Sequence, residues 1–403
     1  MSDPWESLRD SVIATNTGDT FTNDLLSNPP VTPPELGARN VTGGVAFFSD
    51  SPETITSSND SILFTDTNGL TPNTRYRLFL YHFNKSGEAL NFSIKAIYHG
   101  TNSNGAHLNF GPVAFNKNGV AAKAGQTAAR SYLDNIPDTN ADINDADSVP
   151  PVTSNKIPVS QYTTANPVVT TIYSFPSVPN NETISAIAEL KTSDSDIHVY
   201  VVTGKPLSSS YYKNDSQTAD TDSHIRGTFP QRLITRIQDT PAYSISTGEE
   251  TPGRFLLVTN SLEETPADTD WSGTDYTLWT KSIPNLTDGG NYGRMFYERV
   301  AISNSANYDL QAAFVANPRA PTSAFRGAVR DVGASATWLV PNPDWGNGSV
   351  PEHSGNVGTV IWKGVIPPAG EIPLNPFKKR FYYTPAGGSS AKLSLWVIPY
   401  SGS

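Results

Sequence analysis

The densest set of potential metal ligands is the stretch DTNADINDAD, where Asp138, Asn140, Asp142, Asn144, Asp145 and Asp147 offer hard oxygens at nearly alternate positions. Calcium favours such oxygen-rich loops, but an EF-hand needs Gly at its sixth position and Glu at its twelfth. Counted from Asp138 those positions hold Ile143 and Val149, so that motif fails. What remains is a looser calcium loop on Asp138, Asn140, Asp142, Asp145 and Asp147, set against the plainer reading of a solvated acidic turn. No other cofactor is implied. The histidines, His82, His99, His107, His198, His224 and His353, show neither His-x-His nor His-Glu-x-x-His spacing, and the chain has no cysteine. Thiolate sites and thiol nucleophiles are therefore excluded, and lone strand histidines are expected to be structural.

Nucleophilic chemistry finds no better support. There is no Gly-x-Ser-x-Gly elbow and no phosphate-cradling glycine loop, and no two carboxylates stand out as an acid/base pair. Asn307-Tyr308-Asp309 resembles the core around the self-processed tyrosine of copper amine oxidases, but only His353 follows it, so the copper ligands of such an enzyme are missing. The chain reads as a non-enzyme. Two tryptophans suggest binding instead: Trp271 in DTDWSGTDY and Trp345 in PNPDWGNGSVPEHSG lie in polar, turn-rich loops where a ring could stack on a sugar face. Against this, each could plug the end of its own module; Trp279, Trp338, Trp362 and Trp396 read as core. Lys95, a candidate for an isopeptide cross-link, alternates away from Phe92, Ile94 and Ala96 and should face solvent.

The elements that would position these residues are strands. Short runs rich in Val, Ile, Thr, Tyr and Phe recur at 44–49, 77–83, 91–98, 168–175, 197–203, 254–259, 294–300, 308–315, 358–365 and 393–399, separated by turn residues. One helix is predicted near the start, where Asp3-Pro4-Trp5-Glu6 forms a capping-box pattern and Trp5, Leu8 and Val12 share a face. The alanines of 120–133 also admit a helix, with Gly125 and the polar scatter counting against it.

Three blocks recur in the same order. They are 77–96 against 294–312, Ile172-Tyr173 with Val178-Pro179 against Ile361-Trp362 with Ile366-Pro367, and 196–202 against 392–398. The expected fold is all-β, with two tandem β-sandwich modules of jelly-roll or immunoglobulin-like type and an extended N-terminal arm. The expected divisions are an arm with a short helix (1–40), a first module (41–206), a linker with connecting strands (207–252) and a second module (253–403). Prolines in SNPPVTPPELGARN favour an extended path, so Trp5, Leu8, Val12 and Val31 are expected to form an arm that grips a neighbour.

Composition narrows the partners. A formal charge of -10 opposes a phosphate-tracking surface, so nucleic acid is not expected. No apolar run approaches the ~20 residues that span a bilayer, and Met1-Ser2-Asp3-Pro4 lacks the features of a signal peptide. A charged content of 16% falls below the ~25% of an average soluble protein, as strand-and-turn chains rich in Ser, Thr and Asn do.

The blocks RLFLYHFNKSGEALNFSIKAIYHG, SHIRGTF and DGGNYGRMFYERVAISNS resemble secreted surface proteins of Gram-positive bacteria that are labelled copper amine oxidase-like after an attached stalk domain, which this chain lacks. The resemblance implies an extracellular, envelope-associated, non-enzymatic role and transfers no active-site residue. The expectation is thus a cell-surface structural protein whose partner is itself, in a filament, sheath or surface layer. The alternatives are an adhesin that binds cell-wall or other polysaccharide and a virus or phage coat protein.

Overall fold

A computed structural model of the chain describes residues 3, 5–27, 39–42, 44–50, 52–66, 68–136, 155–204, 226–230, 234–237, 243–245, 252–257, 293, 295–319, 326–342, 355–368, 377–387 and 392–402. Val31, Trp271, Trp345 and the candidate calcium residues Asp138, Asn140, Asp142, Asp145 and Asp147 lie outside them. The chain is mostly β, in several sheets. It opens with α1 (Glu6–Ala14), β1 (Thr20–Thr22), a 3-10 turn (Asp24–Leu26) and β2 (Arg39–Thr42).

The N-terminal half follows with β3 (Val45–Ser49), β4 (Thr54–Ile55), β5 (Ser61–Thr65), β6 (Arg75–Asn84), β7 (Phe92–Tyr98), β8 (Ala106–Asn118), α2 (Ala121–Asp134), β9 (Asn155–Val159), β10 (Thr170–Ser174), β11 (Thr183–Thr192) and β12 (Ile197–Thr203). After β13 (Arg226–Pro230), the C-terminal half comprises β14 (Ile234–Ile237), β15 (Tyr243–Ile245), β16 (Gly253–Leu257), β17 (Met295–Asn304), β18 (Leu310–Arg319), β19 (Gly327–Asp331), β20 (Ala336–Val340), β21 (Val357–Ile366), β22 (Phe377–Pro385) and β23 (Lys392–Gly402).

The two halves share one strand order. Sheet I runs β10-β7-β12-β5 and sheet IV runs β1-β21-β18-β23-β16; sheet II runs β13-β3-β6-β11-β8-β9 and sheet III runs β2-β14-β17-β22-β19-β20. The likeness extends to details: β3 and β4 lie parallel on β6, and β14 and β15 lie parallel on β17. The strand that precedes each half is paired into the other half. Thus β2 is antiparallel to β14, and β13 is antiparallel to β3.

Buried asparagines fix the register of the repeat. Asn84 Nδ2 donates to the carbonyls of Glu88 (2.8 Å) and Val178 (2.9 Å), while Asn304 Nδ2 donates to those of Tyr308 (3.0 Å) and Ile366 (2.9 Å). Asn84 therefore corresponds to Asn304, and Leu90, bridged to Val178, corresponds to Leu310, paired with Ile366. The first repeat block, 77–96 against 294–312, sets Ala96 on Ala312, whereas the buried asparagines set it on Ala316, so the block is out of register by four residues at that end. Alternating strands look alike locally, and the equivalence is fixed by hydrogen bonds between residues distant in sequence.

Period-two alternation sends Phe47, Leu78, Leu80, Ile94, Ala186 and Val199 into one core shared by sheets I and II. Phe296, Val300, Phe314, Phe381, Leu395 and Val397 fill another between sheets III and IV. The opposite faces of sheets II and III are buried as well. Phe79, Tyr81 and Ile187 of the first meet Tyr297, Ala328 and Tyr382 of the second, together with Ala129, Tyr132 and Leu133 of α2.

The helix admitted by 120–133 does form, and its position accounts for Gly125. A Cβ there would lie 3.1 Å from the Gly387 carbonyl and 3.2 Å from Ala386 Cβ, so any larger residue would push α2 a few tenths of an ångström off the C-terminal half. Gln126 Nε2 then reaches the carbonyls of Val340 and Pro341, each at 3.0 Å.

Candidate assembly site

Residues 5–26 build the one predicted assembly element that the structure describes. Asp3 Oδ1 accepts from Trp5 N (2.9 Å), and Asp3 pairs with Arg9, so the helix starts at Glu6, later than a cap at Asp3 would place it. Trp5, Leu8 and Val12 share a face, as predicted, and Leu8 and Val12 are wholly buried. Glycine at 18, with φ +93°, turns the chain out of the helix; its amide donates to the Val360 carbonyl at 2.7 Å. Strand β1 then extends sheet IV, with Thr20 opposite Thr359, Phe21 opposite Gly358 and Thr22 opposite Val357. Asn23 ends the strand, accepting from Leu25 N (3.1 Å) while its Nδ2 donates back to the Ser7 carbonyl (3.1 Å), which folds the segment on itself.

The acceptor is the outer face of sheet IV. Trp5, Leu8, Val12 and Leu26 pack on Ala313, Val315, Val360, Trp396 and Ile398, and the rings of Trp5 and Trp396 meet edge-on at 6.4 Å. Burying side chains of this size stabilises by about 1.5–3 kcal/mol each. Polar contacts close the rim: Asn342 Nδ2 donates to the Gly18 carbonyl (2.7 Å), Asn356 Nδ2 to Asp24 Oδ1 (3.1 Å), and Lys363 Nζ to the Ile13 carbonyl (3.2 Å) at the negative end of α1.

This corrects the expectation of a free, extended arm. Trp5, Leu8 and Val12 are docked on their own C-terminal half because sheet IV is apolar on both faces and its outer face must be covered. The signal was in the sequence: 310–316 and 393–398 read LQAAFVA and LSLWVI, near-continuous apolar runs in place of clean alternation.

Among the described residues the other sequence candidates do not converge; His224 and His353 lie outside them. His82 Nδ1 donates to the Pro52 carbonyl (2.8 Å), which leaves Nε2 to accept from the Ser49 hydroxyl (2.9 Å); this buried ring is structural. His99 and His198 lie edge-on at 5.1 Å, away from His82, and His198 Nδ1 donates to the Asp66 carbonyl (2.9 Å). Burial raises the Asp66 carboxyl to about 6 against the opposing pull of His198. Among the described residues no three His, Cys, Asp or Glu side chains are grouped to hold a metal. Lys95 Nζ donates to the Thr171 hydroxyl (2.6 Å) on the solvent side, opposite buried Phe92, Ile94 and Ala96. Trp396 is buried in its half, Trp338 and Trp362 are partly buried against the core, and Trp279 lies outside the described residues.

Sequence reasoning missed an ion cluster between the halves. Glu189 Oε1 accepts from Arg77 Nε (2.7 Å) and Tyr132 OH (2.5 Å), Oε2 accepts from Arg75 Nε (2.8 Å), and Arg77 Nη1 donates to the Gly293 carbonyl (2.8 Å). Burial pushes the Glu189 carboxyl up, but Arg75 and Arg77 outweigh it and hold it below the usual carboxylate range. Arg75 and Arg77 fall in the outward register of β6, which in a lone sheet would read as solvated; Tyr132 of α2 and Gly293 of the second half cover the cluster. No helix among the described residues is long and apolar enough to cross a membrane. No protein-family model matches the chain, and no curated protein matches it.

Proposed function

We propose that the chain is a non-enzymatic structural protein, made of two tandem jelly-roll sandwiches, that assembles with copies of itself at the cell surface. The observation that carries this reading is the repeated use of sheet edges as acceptors: β1 on β21, β2 on β14 and β13 on β3 all join strands from remote parts of the sequence. A chain whose edges are extended by incoming strands is suited to association by strand addition. The resemblance to Gram-positive surface proteins supports the extracellular setting. Light scattering and negative-stain microscopy over a concentration series test the reading. Multi-copy particles are expected, and single copies at every concentration would overturn it.

One observation favours a second reading, a virus or phage coat protein. Numbered from β5 to β12, the first half orders its sheets 1-8-3-6 and 2-7-4-5, and β16 to β23 repeat that order. This is the jelly-roll arrangement common in capsid and lectin domains. Closed shells in the micrographs would support the coat protein, and open filaments or sheets the surface layer.

A further inference from the structure

We infer that the N-terminal segment, residues 3–27, is exchanged between copies, so that in the assembly it covers sheet IV of a neighbour. This deepens the proposed function and rests on it. Three observations lead to the exchange. First, the segment is a unit of its own: Asn23 ties the 3-10 turn back to Ser7 and to Ser11 Oγ (3.1 Å) of α1, so it can leave one acceptor and enter another without refolding. Second, its anchoring contacts among the described residues reach the C-terminal half: Trp396, Val360, Asn342, Asn356 and Lys363 form a site that an identical segment from another molecule fits equally well.

Third, the segment docks far from where its own chain enters the body. Strand β1 lies beside β21, above β20, where Trp338 Nε1 donates to the Ile361 carbonyl (3.0 Å) and Thr20 Oγ1 to the Asn342 carbonyl (3.1 Å). Strand β2 lies at the opposite edge of sheet III, separated from β20 by β14, β17, β22 and β19. At ~4.8 Å per strand those five steps span about 24 Å. Residues 28–38, four of them proline, join the two in sequence. Their greatest reach is roughly 40 Å. Because the segment docks this far from the strand that follows it, the return to its own sheet is not imposed by proximity.

The absence of cysteine allows a clean test. Thr20 and Thr359 are opposed, with hydroxyls 3.3 Å apart, so Thr20→Cys with Thr359→Cys places two thiols where a disulfide can close. The full-length double variant is sized by light scattering, oxidised, and run on a non-reducing denaturing gel. Assembled particles that give a covalent ladder support exchange. Assembled particles that give only internally cross-linked single chains overturn exchange and leave the assembly reading standing. Solitary molecules before oxidation overturn both. Thr22→Cys with Val357→Cys, the opposed pair two residues further along the same strands, repeats the test should the first pair disturb folding.

Discussion

Sheets I and IV are built alike and dressed differently. In register, Lys95 faces Thr171 and Tyr200 in sheet I as Val315 faces Val360 and Trp396 in sheet IV; likewise Ser93 pairs with Ser174 and Val202 where Ala313 pairs with Lys363 and Ile398. Their inward positions agree: Ile94 matches Phe314, Ala96 matches Ala316, and Val201 matches Val397, all buried. The outward face of sheet I ends in the solvent-side Lys95–Thr171 hydrogen bond, with Tyr162 and Val169 packed on its remaining apolar side chains. The outward face of sheet IV is apolar and takes α1. Inward residues thus specify the shared architecture, and a few outward ones decide where the N-terminal segment binds.

A second contrast lies between the halves. Arg75, Arg77 and Glu189 occupy the positions that Met295, Tyr297 and Tyr382 hold in the other half. One surface is ionic, the other aromatic, and they meet across α2. Replacing Glu189 by Gln leaves two buried guanidiniums facing a neutral amide, and removing one partner of a buried ion pair costs about 3–5 kcal/mol. Chemical denaturation should show a loss of this size. Because the Glu189 carboxyl is held below its unfolded value, its stabilisation is present above the usual carboxylate range and is lost as pH falls through its folded pKa. The variant should therefore lose the acid-dependent part of the wild-type profile.

The asparagines test the likeness. Asn84→Ala and Asn304→Ala each remove donors to two carbonyls, and each should cost about 1–3 kcal/mol in thermal unfolding. Unequal losses would mean that the two corners are not equivalent. A smaller effect is expected at Asp66. Its carboxyl, raised to about 6 by burial, favours folding in its neutral form, and that contribution is lost as pH rises through 6. Asp66→Asn should gain on the order of 1–2 kcal/mol over wild type at pH 8 and little at acid pH. The smallest effect belongs to Lys95→Val, a solvent-side change expected to stay within about 0.5 kcal/mol in the same denaturation assay.

How far the sequence discloses the molecule follows from the range of the forces involved. The face formed by Trp5, Leu8 and Val12 was legible because its spacing is local, and the third repeat block, 196–202 against 392–398, was in register because both strands alternate around the same core pairs. The destination of that helix was not legible, since it depends on the outward polarity of strands some 300 residues away. Gly125 argued against a helix until the neighbouring Gly387 and Ala386 explained it. The ion cluster was hidden because strand alternation assigns Arg75 and Arg77 to a solvent face that α2 and the second half cover.

Ala313, Val315 and Val360 are the outward positions of sheet IV whose polarity decides where the N-terminal segment binds. The direct measurement is hydrogen–deuterium exchange of the full chain beside the triple variant Ala313→Ser, Val315→Lys, Val360→Thr, which gives sheet IV the outward polarity of sheet I. Amides of α1 and β1 should be protected in the wild type and exposed in the variant, with β6 and β11 protected equally in both. Unchanged protection of α1 and β1 in the variant would contradict it.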